Sequence, residues 1–212
     1  MKYQGIIFDL DGVICSTDHY HYLAWKKLAD KLGVYFDETI NNRLRGVSRM
    51  ESLEIILENY QETLSNEEKK SVAEEKNLKY RELLKEMSPK DLSPEVKETL
   101  NLLREKGFLL GIGSSSKNAK FILERIGLGD YFDEISDGTN ITHSKPDPEV
   151  FLKAAQYLGL PPEACLVVED AKSGLEAAIA AQMDCAAIGD AVLSGLATYN
   201  LKKFSDLIQC IS

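Results

Sequence analysis

An apolar run, Ile6-Ile7-Phe8, ends in Asp9-Leu10-Asp11-Gly12, two carboxylates spaced two apart and followed by a glycine. A short β-rich segment bounded by glycine suits a central strand of a parallel sheet, buried on both faces and releasing the chain at its carboxyl end. Ligands of open parallel sheets bind at that edge. Two acids this close repel each other unless a cation lies between them or they share a proton. With oxygen ligands alone, the expected cation is Mg²⁺.

After this strand the texture turns helical and stays so to about Leu92. Ala24, Trp25, Leu28 and Leu32 recur at helical spacing up to Gly33, a position for a left-handed cap. Leu53, Ile56, Leu57 and Tyr60 mark a second helix, and Ser65-Asn66-Glu67-Glu68 opens a third with a capping-box pattern that continues to Met87. From Ser93-Pro94 helices and strands alternate. A helix with Val96, Leu100 and Leu103 stops at Gly107, and a strand follows over 108–113. Asp147-Pro148 reads as an N-cap and first-turn proline of a helix to Leu158. A strand at 166–168, a helix over 172–181 and a strand at 185–188 complete the pattern. Such alternation predicts an α/β fold, a Rossmann-like doubly wound parallel sheet with right-handed crossovers, interrupted after its first strand by a helical insertion. The expected division is a catalytic core of residues 1–15 and 93–212 and a helical cap of residues 16–92.

Of the 212 residues, 44% are hydrophobic, enough for a sizeable buried core. The formal charge of −9 argues against nucleic acid or an anionic membrane as partner, since both need a basic face. Cys15, Cys165, Cys185 and Cys210 are far apart and form no Cys-x-x-Cys pair, as suits reduced thiols. No apolar stretch reaches membrane-spanning length. The expected setting is cytoplasmic, the expected assembly a monomer.

The strand ends carry the chemistry. The first ends in Asp9 and Asp11, the second in Ser114-Ser115-Ser116-Lys117-Asn118, and a later one in Glu169-Asp170. Parallel strands put all three on one edge, and Lys145, before a proline-started helix, can point back across it. A serine hydroxyl with helix-start N–H groups and a lysine ammonium make a phosphate cradle. Two acid clusters beside that cradle amount to a metal-assisted phosphoryl-transfer site. Gly111-Ile112-Gly113 is not a dinucleotide fingerprint, because the third glycine position is Ser116. Cys15 reads as a small buried residue, His19 and His143 as surface histidines, and Trp25 as core. His21 lies one helical turn after Thr17, on the side expected to face the acids. Arg49, after Gly46-Val47-Ser48, reads as a cation presented by a loop.

These four motifs, in this order, resemble the haloacid dehalogenase superfamily of phosphotransferases, and the helical insertion resembles that family's four-helix cap. The resemblance implies Asp9 as nucleophile forming an aspartyl-phosphate, Asp11 as general acid and base, and Ser114 and Lys145 as phosphate binders. Mg²⁺ would be held by Asp9, Glu169, Asp170 and the backbone carbonyl of Asp11. The insertion is similar to that of family members that move a phosphate between carbon 1 and carbon 6 of β-glucose. That likeness adds Thr17 and His21 to the catalytic set, and Gly46, Val47, Arg49, Ser52, Lys76, Ser115, Ser116, Lys117 and Asn118 as substrate contacts. It implies an isomerase acting on a sugar phosphate; the alternative is a sugar-phosphate phosphatase. Ala171, where a hydroxyl residue is often found, and Ser16, where an acid is common, depart from the pattern.

Overall fold

The protein is represented by a computed structural model that describes residues 2–44 and 47–211. It forms two compact units, Met1–Ser16 with Ser88–Ser212, and Thr17–Met87. In chain order the strands and α-helices are β1 (Gly5–Phe8), α1 (Asp18–Leu32), α2 (Glu38–Asn42), α3 (Arg49–Leu57), α4 (Asn66–Leu84), α5 (Pro94–Glu105), β2 (Leu109–Gly113), α6 (Ala119–Arg125), β3 (Glu134–Ser136), α7 (Glu149–Tyr157), β4 (Cys165–Glu169), α8 (Lys172–Ala180), β5 (Asp184–Ala187), β6 (Tyr199–Asn200) and α9 (Leu207–Cys210).

The first unit is the expected α/β sheet. Its strands lie in the order β3-β2-β1-β4-β5-β6, every neighbouring pair parallel. The order reverses at β1, so the crevice where ligands of such sheets bind opens beyond the carboxyl ends of β1 and its neighbours. Phe8 is level with Ile112 of β2 and Val168 of β4, which puts Asp9 beside the residues that leave those strands. Ile6, Ile7 and Phe8 are fully buried, as a strand covered on both faces requires. On one face Ile7 and Val167 pack against Val150, Phe151 and Ala154 of α7 and Leu175 and Ala178 of α8. Gly113 belongs to that packing: a Cβ there would stand 2.6 Å from Phe151 Cδ1. The Gly-Ile-Gly sequence of β2 thus accommodates a helix.

The second unit packs α1 to α4 around Trp25, Leu28, Leu53, Ile56 and Ala73, joined by Val34 and Phe36 from the α1–α2 connection. The helix α1 ends at Gly33, whose φ of 69° is the expected left-handed cap. The Ser65 capping box is present at the start of α4.

Several boundaries differ from the sequence reading. The five-residue α2, capped by the Asp37 carboxylate, is too short to show periodicity. Arg49 is the first residue of α3 and does not sit in a loop, because Ser48 and Glu51 form a capping box that starts the helix there. Tyr60 falls beyond the end of α3, and α4 stops at Leu84, short of Met87. The helix expected from Asp147 starts at Glu149; the Asp147 carboxylate still accepts the Glu149 N–H at 2.9 Å. The short strands β3 and β6 and helix α6 were not legible, having three, two and seven residues.

Candidate active site

At the end of β1 the Asp9 N–H donates to the Val168 carbonyl at 2.9 Å, continuing the ladder by one residue and fixing Asp9 at the sheet edge. The chain then turns tightly. The Ile14 and Cys15 N–H groups donate to the Leu10 carbonyl at 3.0 and 3.2 Å, and Gly12 donates to the Cys15 carbonyl at 2.7 Å. Gly12 is left-handed, φ 87°, and a Cβ there would stand 2.0 Å from Asp170 Oδ2. Only glycine meets both the conformation and the close approach of that carboxylate.

Lys145 is the hub of the edge. It is 4% exposed, and its ammonium donates to both Asp9 Oδ1 and Glu169 Oε1 while lying 4.7 Å from the centre of the Phe151 ring. Its loop is tied to the strand β2 side by the Lys145 N–H, which donates to Ser115 Oγ at 3.4 Å. Burial alone would lower the Lys145 pKa, but the negative charges of Asp9 and Glu169 outweigh it and hold the ammonium above its ordinary value. Glu169, 1% exposed, also accepts the Asp170 and Ala171 N–H groups on Oε2, both at 3.0 Å. Burial pushes it up to about 7, aided by Asp9 and opposed by Lys145. Asp170 is pushed up to about 8, first by burial and then by the charges of Asp9 and Glu169.

Carboxylate oxygens of Asp9, Glu169 and Asp170 lie within 4.8 Å of one another. Among the described residues this is the grouping with the geometry to hold a metal ion that joins two strand ends. Three converging acids with one lysine leave net negative charge in a largely buried setting, and an all-oxygen donor set fits a hard divalent cation such as Mg²⁺. The Asp11 carboxylate does not belong to that convergence. Space for Glu169 comes from Gly174 in α8, where a Cβ would stand 1.9 Å from the Glu169 carboxyl carbon. That residue was not singled out from sequence, although a glycine inside an alanine-rich helical pattern is a signal for close packing.

Residues 114–118 leave β2 on the same edge. Ser114 is buried, donates its N–H to the Ser136 carbonyl at 3.0 Å, and accepts the Ser116 N–H on Oγ at 3.1 Å. Ser116 Oγ accepts the Asn118 N–H at 3.2 Å. Asn118 is buried and Lys117 exposed. Cys15 is buried, and burial and the neighbouring Asp11 and Asp9 charges push its thiol up. His19 and His143 are exposed.

In the other unit, Thr17 precedes α1 and accepts the His21 N–H on its carbonyl at 3.0 Å. Lys76 of α4 is 3% exposed, its ammonium 2.9 Å from His21 Nδ1 and over the rings of Trp25 and Tyr80, 4.6 and 4.5 Å from their centres. A lysine only donates, so Nδ1 accepts and the neutral imidazole carries its proton on Nε2. Burial, then Lys76 and Arg49, hold the His21 pKa well below its usual value. The Arg49 guanidinium bonds Glu74 Oε2 at 3.1 Å and donates to Asn77 Oδ1 at 2.9 Å, and Asn77 Nδ2 donates to Glu74 Oε1 at 3.2 Å. Glu74 gave no sign of this in the sequence. Ser52 is buried in α3 and Val47 half-buried before it, whereas Gly46 lies outside the described residues.

The fold, with these acids and the lysine at its carboxyl edge, is that of an enzyme, and the chain belongs to the haloacid dehalogenase-like hydrolases, whose family model matches residues 3–182. It is 40% identical to a beta-phosphoglucomutase of Bacillus subtilis, over 88% of this chain and 83% of that one. It is 35% identical to a phosphorylated carbohydrates phosphatase of Thermotoga maritima, over 85% of this chain and 82% of that one. The crystal structure of a beta-phosphoglucomutase from Clostridium difficile superposes with a TM-score of 0.92 at 39% identity, covering 99% of this chain and 95% of that one.

Proposed function

We propose that this enzyme is a Mg²⁺-dependent phosphomutase interconverting β-D-glucose 1-phosphate and glucose 6-phosphate through an aspartyl-phosphate and β-glucose 1,6-bisphosphate. The observation that carries the reading is the Asp9–Lys145–Glu169 arrangement with Asp170 beside it. An Asp9 oxygen attacks phosphorus as the bond from phosphorus to the sugar oxygen breaks, and Asp11 gives that oxygen a proton. In that half the phosphorus attacked belongs to the bisphosphate and a glucose monophosphate is left. In the other half Asp11 takes the proton of the free carbon-6 hydroxyl of glucose 1-phosphate, which attacks the aspartyl-phosphate, so that the bisphosphate re-forms and Asp9 is freed. Lys145 and Ser114 hold the phosphoryl oxygens. Asp9, Glu169, Asp170 and the Asp11 carbonyl would hold Mg²⁺, which supplies charge neutralisation to the transferring group. Thr17, His21, Lys76, Ser52, Gly46 and Val47 are assigned to the sugar side, with Ser115, Ser116, Lys117 and Asn118.

The mutase is preferred to a sugar-phosphate phosphatase because a bisphosphate carries a second anionic group that needs its own cation. Arg49 suits it: its planar fork is held by Glu74 and Asn77 and matches two phosphate oxygens. The free, well-separated cysteines suit a reducing compartment, and we read the enzyme as cytoplasmic and active as a monomer. The test is β-glucose 1-phosphate with a trace of the 1,6-bisphosphate and Mg²⁺, scoring glucose 6-phosphate against free phosphate. Formation of glucose 6-phosphate well ahead of phosphate release is expected. Phosphate release alone would make the enzyme a phosphatase.

A further inference from the structure

The loop that leaves β2 is pressed against a second turn, at the end of β3, that has no assigned role. The Ser114 N–H donates to the Ser136 carbonyl at 3.0 Å, and the Gly138 N–H donates to the Ser116 carbonyl at 3.1 Å. A Cβ on Gly138 would stand 2.4 Å from the Ser115 carbonyl oxygen, 2.8 Å from the Lys117 nitrogen and 3.0 Å from Lys117 Cγ. Two of these neighbours are backbone, which cannot swing aside as a side-chain end can. The backbone of Gly138 is not left-handed, so the requirement is for space alone.

The turn is itself braced from within. Asp137, 1% exposed, accepts the Thr139 N–H at 2.8 Å and the Thr139 hydroxyl at 2.5 Å on one oxygen. Asn140 Oδ1 accepts the Asp137 N–H at 3.2 Å and the Ser136 hydroxyl at 3.1 Å, and Asn140 Nδ2 donates to the Ile135 carbonyl at 3.4 Å. Lys153 donates to the Asn140 carbonyl. The 114–118 loop is thereby laid against a hydrogen-bonded turn, and a loop so supported loses less entropy when it binds.

We propose that the 136–140 turn is the template for the 114–118 loop and that Gly138 is a positioning residue for recognition of the sugar phosphate. The substrate half of this rests on the function proposed above. The clash falls on residues 115–117, downstream of Ser114, which stays anchored to β3 by its own N–H. Misplacement should therefore weaken sugar contacts more than it weakens phosphorylation of Asp9 itself.

The experiment compares Gly138→Ala with Gly129→Ala, a control in which the nearest atom to a new Cβ is Glu124 Cγ at 3.3 Å, a side-chain carbon. Two readouts are taken: backbone amide resonances of residues 114–118 in the free enzyme and on titration with inorganic phosphate, and kinetics with β-glucose 1-phosphate and with acetyl phosphate. For Gly138→Ala we expect displaced amides at 115–118, KM for the sugar phosphate raised about tenfold to a hundredfold, and phosphoryl transfer from acetyl phosphate to Asp9 within roughly threefold of wild type. Gly129→Ala should change none of these. Unmoved amides, or an unchanged KM, would overturn the template; so would an equal fall in both reactions accompanied by a loss of Tm, which is what a purely structural glycine gives. Should Gly138→Ala not fold, Thr139→Val loosens the exposed side of the turn without a clash, and absence of any amide displacement at 115–118 in that variant is equally fatal. A wild type that lacks the sugar reaction would remove the proposed function, while the amide and phosphate data would still decide the template.

Discussion

Single residues set the chemistry through the company they keep. Asp9→Asn keeps the size of the side chain and removes its nucleophilicity, so turnover should fall by several orders of magnitude, read as loss of the labelled protein formed in a rapid-quench burst. Normal turnover would remove Asp9 from its role. Gly174→Ala should act on the same site from behind, because a Cβ 1.9 Å from the Glu169 carboxyl carbon forces that acid away from Lys145 and Asp9. Residues that orient metal ligands typically change affinity by about 10–100-fold, and the Mg²⁺ concentration for half-maximal thermal stabilisation should rise by that order. An unshifted Mg²⁺ midpoint would mean that α8 yields and the acid stays. Arg49→Ala separates mutase from phosphatase. Bonds to charged groups contribute roughly 1.5–3 kcal/mol each, so losing two should lower isomerisation by about two to four decades while acetyl phosphate still phosphorylates Asp9. An equal fall in both would show Arg49 to be supporting its unit instead.

Whole elements deliver those residues, and α7 is the one whose start is most exposed to pH. Glu149 in its first turn bonds Lys153 and accepts the His143 and Thr142 N–H groups, each of these two at 2.8 Å. Lys153 first, then those N–H groups, lower the carboxyl from 4.5 to about 2. A depressed carboxyl stabilises the fold above its unfolded pKa, and the stabilisation is lost as pH falls from about 4.5 through about 2. Glu149→Gln should therefore be less stable than wild type at pH 7, with the difference vanishing toward pH 2 in acid-unfolding curves followed by circular dichroism. A difference constant with pH would assign the loss to packing. Elements were legible where they were long or buried. The strand β1, with its fully buried Ile6 to Phe8, and the capped α4 stood out. Short α2, β3 and β6 have too few residues for any period to emerge, and the start of α3 depended on a capping box that resembles an ordinary polar loop.

At the scale of the molecule, each unit has its own core, and the only tryptophan, Trp25, belongs to the helical one. Mg²⁺ with inorganic phosphate should bind the α/β unit and stabilise it by about 2.7 kcal/mol at a hundred times Kd. Far-UV dichroism, which sees both units, should then shift to higher temperature more than Trp25 fluorescence does; coincident shifts would mean that the two unfold as one. The sequence by itself determined the doubly wound sheet, the helical insertion, and the strand ends that carry Asp9, Ser114 and Glu169. It could do so because burial on both faces writes a continuous apolar run, and departure from a sheet edge writes an abrupt change to polar residues. Only the tertiary structure decided which groups meet: that Lys145 bridges Asp9 and Glu169, that Asp11 stands outside the converging carboxylates, that Glu74 and Asn77 hold Arg49, and that glycines at 12, 138 and 174 leave room for an acid or a loop. Those are contacts between residues distant in the chain, and no local periodicity records them, because they depend on how the strands are ordered and on how closely one backbone approaches another.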